Sequence, residues 1–208
     1  MSKVKLIWAT PDAENLVAYM ARVSNPANQD NKESAAKLLQ YLVRNKHWSP
    51  FEMVSACVEI ETTRDIARQI LRHRSFAFQE FSQRYAVATE FETGETRLQD
   101  TKNRQSSLLN EDRELDDIWQ RAQKDLIDHS VKAYQWALDN GIAKEVARKV
   151  LPEGLTGSRM YMTGTLRSWI HYLQVRLDPS TQKEHREVAE KVYQALKKDF
   201  PNILEVVK

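Results

Sequence analysis

Hydrophobic and polar residues alternate from the first residues of the chain. Val4, Leu6 and Trp8 fall on one side of Lys3 to Ala9, the period-two pattern of a strand. Asp12 to Val23, after Thr10-Pro11, reads as a helix. Glu33 to Asn45 predicts a second one, with Ala35, Leu38, Leu39, Leu42 and Val43 as its apolar stripe. Ser49-Pro50 breaks the chain. Met53 to Glu61 alternates again and predicts a strand with Val54, Ala56, Val58 and Ile60 turned inward. Thr62 or Thr63 can cap a helix running to about Arg72. Phe76 to Tyr85 reads as a second extended stretch. Gly94 to Asp112 is polar with little to bury and predicts a mobile surface loop. Glu114 to Asn140 predicts a long amphipathic helix carrying Leu115, Ile118, Trp119, Ala122, Leu126, Ala133 and Trp136, closed by Gly141. A short helix over Ala143 to Leu151 stops at Pro152. Two more follow, Thr165 to Leu177 and Thr181 to Phe200, split by Asp178-Pro179. Strands and helices do not alternate regularly, which predicts an α+β fold and not a doubly wound sheet.

Composition narrows this picture. The chain has 208 residues, a length that fits one domain, with 41% hydrophobic and 29% charged residues. No apolar run is long enough to span a bilayer, and the opening MSKVKLIWATPD lacks a signal-peptide core. A cytoplasmic protein without membrane association is the expectation. Cys57 is the single cysteine, so no internal disulfide and no CxxC zinc site is possible, and no metal site is predicted. Cys57 sits within the strand pattern MVSACVEIE, as a small buried hydrophobe does. Only five glycines occur, with no GxGxxG and no GxxxxGK[ST]. Any phosphate must therefore be held by side chains more than by a glycine cradle.

Charge is the informative departure. The formal net charge is +2, yet Arg64, Arg68, Arg72, Arg74 and Arg84 face only Asp65 and Glu80 between positions 64 and 84, a local net of +3. Arginine suits bidentate recognition of phosphate and carboxylate. Arg64, Arg68 and Arg72 are spaced to share one helix face, which a solvated face paired with acids explains equally well, and for Arg64 better. On an extended Phe76–Tyr85 segment, Glu80, Ser82 and Arg84 would point to one side. Arg and Ser would suit a nucleotide's phosphate there and Glu a sugar hydroxyl; a surface network would use the same residues. In TLRSWIHYLQVRLD, Leu166, Ile170, Leu173 and Leu177 form the core stripe. At about 100° per residue, Arg167 and His171 flank it on one side and Arg176 on the other. Such a helix can serve two ligands or two subunits, and two surface arginines with a half-buried histidine fit the spacing as well.

These motifs carry a resemblance. Arg72-His73-Arg74 followed by seven residues and Ser82 is similar to the signature of the flavin-dependent thymidylate synthases. So are, in order, Ser49–Glu52, Ala67–Gln69, Glu80–Tyr85, Val146–Pro152 and the Arg167 to Arg176 segment, over about Ala21 to Ala189. Met53 stands where members often carry histidine, and Gln79 and Thr165 where asparagine is common. The resemblance implies a single synthase domain over 1–208, with the family's antiparallel sheet packed by several helices. It implies that Gln69, Ile70, Leu71, Arg72, Glu80, Phe81, Ser82, Gln83, Arg84, Arg148 and Arg176 bind dUMP. It implies that Ser49, Arg72, His73, Arg74, Glu80, Thr165, Leu166, Arg167 and His171 bind FAD. Arg176 matches the arginine thought to ionise the uracil N3, the catalytic role. Methylenetetrahydrofolate as carbon donor, NADPH as reductant and a homotetramer with shared sites are implied as well.

A rival from another class is a nucleic-acid-binding module built on the Arg64–Arg84 stretch, where phenylalanines interleave with arginines. Near-zero net charge and the absence of a nucleic-acid motif weigh against it. A purely structural oligomer, with the arginines in inter-subunit ion pairs, is a further rival.

Overall fold

The computed structural model describes residues 2–205 and 207, so Met1, Val206 and Lys208 of the expected 1–208 domain lie outside the described residues. The fold is α+β, and the chain divides into two compact units.

One unit holds Lys3–Ile60, Leu71–Gln79 and the chain from Tyr161 onward. The antiparallel sheet of the described residues has the order β1-β2-β6-β3, from strands β1 (Lys3–Ala9), β2 (Ser55–Thr63), β3 (Ala77–Glu80) and β6 (Gly157–Thr165). Helices α1 (Ala13–Ala21), α2 (Ala35–Arg44), α6 (Leu166–Arg176), α7 (Lys183–Leu196) and α8 (Pro201–Leu204) accompany it, and α7 packs on both β1 and α6. Alternation in β2 was a sound guide: Val54, Ala56, Val58 and Ile60 are all buried. Cys57 is buried beside them, and burial pushes its thiol above the ordinary value. In β1 the expectation holds only in part. Val4 and Leu6 are half-buried, but Trp8 is 47% exposed, on a strand at the sheet's edge. Strand β6 was not anticipated. Its sequence GSRMYMTGT does alternate, with Ser158, Met160 and Met162 buried, but its glycines and hydroxyls dilute the apolar signal. The last helix ends at Leu196, short of the expected Phe200, and Pro201 opens a separate turn of helix.

Gly164 in β6 makes a close approach. A Cβ placed there would lie 2.5 Å from Phe76 Cδ1. Phe76 packs edge-on to Trp169 at 4.6 Å and near Tyr172 at 6.1 Å, so it has little room to yield. Gly164→Ala should therefore destabilise the protein by about 1–3 kcal/mol, as overpacking does. A denaturant titration checks this, and an unchanged midpoint would contradict it.

The other unit holds Ser2, Glu61–Ile70 and Glu80–Met160. It contains α3 (Arg64–Ile70), β4 (Arg97–Gln99), β5 (Ser107–Leu109), α4 (Arg113–Asp139) and α5 (Lys144–Ala147). Where a structureless polar loop is expected, β4 and β5 pair as a short antiparallel hairpin, with Leu98 opposite Leu108. Polar side chains build its turn: Asp100 Oδ1 accepts from Lys102 N at 2.8 Å, and Asn103 Oδ1 accepts from Gln105 N at 3.1 Å. Asp112 caps α4 by accepting from Glu114 N and Leu115 N, and Gly141 follows its end with φ 75°. Ala88, Tyr134, Ala137 and Ala147 form a small core with Phe91 and Leu151. The buried face of α4 is thus Gln123, Ser130, Tyr134 and Ala137, and not the predicted stripe. Leu115, Ile118, Trp119, Leu126 and Trp136 of that stripe stay exposed.

Candidate functional site

Helix α6 carries most of the candidate chemistry. Thr165 caps it, its Oγ1 accepting from Ser168 N at 3.4 Å. Leu166, Trp169, Ile170, Tyr172 and Leu173 are buried, which fixes the rotation of the helix. Arg167 and His171 consequently turn to one flank, where with Gln174 they line a cavity of about 440 Å³. Trp48, Glu52, Ser75, Thr165, Ser168 and Ile170 complete its wall. Glu52 accepts from the Arg167 guanidinium. Both groups are about half-exposed, so the pair is weak and exchangeable. Of the predicted cofactor residues, Thr165, Arg167 and His171 line this cavity. Leu166 is fully buried in the core, so only its main chain is left for a ligand. Ser49 opens the turn Ser49–Glu52, and Arg72 and Arg74 are exposed beyond α3. The reading placed Arg72 on the α3 face with Arg64 and Arg68, but α3 ends at Ile70. Trp48, Glu52, Ser75 and Gln174 were missed. Gln174 follows Arg167 by seven residues, a spacing that could have found it.

On the other flank stands Arg176. Its Nε–H donates to His73 Nε2 at 2.9 Å. The His73 ring lies 4.9 Å from Tyr172, edge to face, and 6.3 Å from His185. Burial pushes His73 down to about 4, with Arg176 and His171 adding to the effect. His185, fully buried on α7, is pushed down to about 3 by burial, Arg176 and His73. Burial also raises the Tyr172 hydroxyl, which finds no hydrogen-bond partner among the described residues. Tyr172 and His185 had no motif to mark them in the sequence.

Both imidazoles are neutral in the fold and take up protons on unfolding. Below the ordinary histidine value of 6.5, the unfolded chain binds more protons than the native one, so stability falls with pH. The melting temperature should be highest above pH 6.5 and drop progressively toward pH 4, and a flat profile across that interval would contradict the assignment.

Of the remaining predicted residues, all but Leu71 lie in the unit with α3. Gln69 is half-buried and Ile70 fully buried at the end of α3, whereas Leu71 falls just beyond the helix. Glu80 closes β3, where its Oε1 accepts from Ser158 Oγ at 2.7 Å and faces Arg64 Nη1 at 3.4 Å. The extended reading of Phe76–Tyr85 fails after Glu80. Ser82 Oγ accepts from Arg84 N at 3.3 Å and Ser82 O from Tyr85 N at 3.1 Å, so the chain turns. Glu80, Ser82 and Arg84 therefore do not share a strand face; the turn, and not the pleat, brings Ser82 and Arg84 together. Arg84 Nε lies 3.1 Å from Glu145 Oε2 in an exposed pair, and Arg68 pairs with Glu153. Phe81 N donates to Arg159 O at 2.8 Å. Gln83 is buried and its Nε2 has no partner among the described residues. Arg148 begins the turn Arg148–Val150 and is half-buried.

The family described as Thymidylate synthase complementing protein matches residues 5–202. A flavin-dependent thymidylate synthase of Synechocystis sp. is 53% identical over 190 residues, covering 91% of this chain and 87% of that one. A probable flavin-dependent thymidylate synthase of Paramecium bursaria Chlorella virus 1 is 48% identical over 192 residues, with coverage of 92% and 88%. Among solved structures, the UMP/dUMP methylase PolB from Streptomyces cacaoi bound with 5-Br dUMP superposes with a TM-score of 0.88 at 28% identity, covering 99% of this chain and 93% of that one. With its motifs in order, its α+β fold and nearly its whole length matched, the chain belongs to the family of flavin-dependent thymidylate synthases.

Proposed function

We propose that this enzyme methylates dUMP to dTMP in the cytoplasm, with methylenetetrahydrofolate as carbon donor, FAD as the redox cofactor and NADPH as its reductant. One observation carries the reading: the two flanks of α6 are differently equipped. Arg167 and His171 line a cavity, while Arg176 stands apart on His73. The relatives' names and the nucleotide-bound neighbour supply the chemistry that such an arrangement suits. The family match over residues 5–202 supports taking the chain as a single synthase domain.

The cavity fits the polar and apolar parts of a flavin dinucleotide. Arg167 offers a cation for the diphosphate, Ser75, Thr165 and Ser168 offer hydroxyls, and Trp48 and Ile170 offer apolar wall. Arg72, Arg74, Ser49 and Glu80 are the further cofactor residues in this reading, whereas His73, which the resemblance gives to the flavin, has its Nε2 taken up by Arg176. When bound, the flavin supplies the two electrons that convert a transferred methylene into a methyl group. The chain supplies binding and electrostatics. Ser82 and Arg84 receive the dUMP phosphate, with Arg72 and Arg148, and Arg84 exchanges its exposed pair with Glu145 for the ligand. Glu80 accepts from a sugar hydroxyl. Gln83 has a buried amide nitrogen to donate, and Gln69, Ile70, Leu71 and Phe81 are the further dUMP residues in this reading. Arg176 stabilises negative charge on the uracil at N3, which raises electron density at the reacting carbons. Buried Cys57 is not needed as a nucleophile.

A homotetramer with shared sites belongs to the same reading. The exposed stripe of α4, with Ile118, Trp119, Leu126 and Trp136, supports association. The purified protein should be yellow. If it stays colourless after incubation with FAD, the reading fails and the nucleic-acid and structural alternatives gain.

A further inference from the structure

We infer that His73 is a positioning residue for Arg176, one that fixes the guanidinium without cancelling its charge. The inference rests on the proposed role of Arg176 toward the uracil. A guanidinium nitrogen only donates, so the 2.9 Å contact from Arg176 Nε makes His73 Nε2 an acceptor. The neutral ring then carries its proton on Nδ1. No carboxylate pairs with Arg176, and no other hydrogen bond holds it among the described residues. With Nε engaged, the four N–H bonds of Nη1 and Nη2 stay free as a planar fork.

The choice of partner has a consequence. An aspartate or glutamate in place of His73 would hold the arginine equally well, but it would neutralise the charge that an anionic uracil needs. A neutral imidazole orients the cation and leaves its field intact. The ring itself is locked. Tyr172 lies edge to face at 4.9 Å, Phe76 at 6.4 Å and His185 at 6.3 Å. The charged or titratable groups facing it are Arg176, His171 and Tyr172 from α6 and His185 from α7, and burial, Arg176 and His171 oppose its protonation. The resemblance gives His73 to the flavin; this geometry gives its Nε2 to the nucleotide side, through Arg176.

Three substitutions separate the possibilities. His73→Gln keeps a neutral acceptor, His73→Glu makes the acceptor anionic, and His73→Leu removes it. We expect kcat/KM for dUMP and dUMP affinity by calorimetry to fall about tenfold or more in the Leu and Glu variants and to be largely restored in the Gln variant. Flavin content should match the wild type in all three. In an Arg176→Ala background, His73→Leu should weaken dUMP binding no further. The inference is overturned if the Glu variant equals or exceeds the Gln variant, if flavin is lost in step with activity, or if the double variant is additive. A separate readout needs no substrate. The Arg176 Nε–H resonance should exchange slowly in the wild type and the Gln variant and rapidly in the Leu variant. A wild-type protein that forms no dTMP would defeat the synthase reading alone; rapid exchange in the wild type would defeat the positioning of Arg176.

Discussion

Replacing Arg176 with alanine should abolish dTMP formation, by about a hundredfold or more, the scale on which removing one preorganised donor to a developing anion acts. Arg176 does not line the α6 cavity, and among the described residues its single hydrogen bond runs to His73. Its loss should therefore leave the flavin in place and act on the nucleotide. The fold should survive, because the anchors of α6 are Trp169, Ile170, Tyr172 and Leu173, all of them buried and untouched. Turnover with saturating dUMP, read beside the flavin absorbance of the same sample, decides the matter. Loss of flavin together with turnover would mean that Arg176 holds the cofactor.

Arg167→Ala should give the opposite pattern. Arg167 is the cation on the cavity wall, and its exposed pair with Glu52 contributes only about 0–1 kcal/mol to folding. The variant should melt close to the wild type yet emerge from gel filtration largely without flavin. A charge-assisted contact to a phosphate lost from the site weakens binding by about 10-fold to 100-fold. Normal flavin content would remove Arg167 from the cofactor site. Together the two variants ask whether the flanks of α6 are functionally separate.

The placement of Arg167 and Arg176 on different flanks was legible in the sequence because a buried stripe fixes a helix's rotation, and Leu166, Ile170 and Leu173 mark the stripe plainly. Strand β2 was legible because its face of Ala56, Val58 and Ile60 is buried, although Cys57 on the other parity is buried as well. Other features were not. Alternation ran on past Glu80, but local bonding decided the outcome, since the Ser82 hydroxyl captures Arg84 N and turns the chain. Apolar residues on α4 announced a stripe, but not whether anything within the chain would cover it. The Arg176–His73 bond joins residues 103 apart, and no local pattern predicts such a meeting. Tyr172 sits one helical turn before Arg176, whereas His185 reaches that cluster through tertiary packing alone.

The central claim is flavin-dependent methylation of dUMP, and one assay tests it most directly. The purified protein is incubated with dUMP, methylenetetrahydrofolate labelled in its methylene carbon, NADPH and FAD, with parallel samples stripped of flavin. Labelled dTMP should form in the complete mixture and be absent from the stripped samples until FAD is restored. Formation of dTMP at an undiminished rate without flavin, or no dTMP from the complete mixture with folded, yellow protein, would contradict the account.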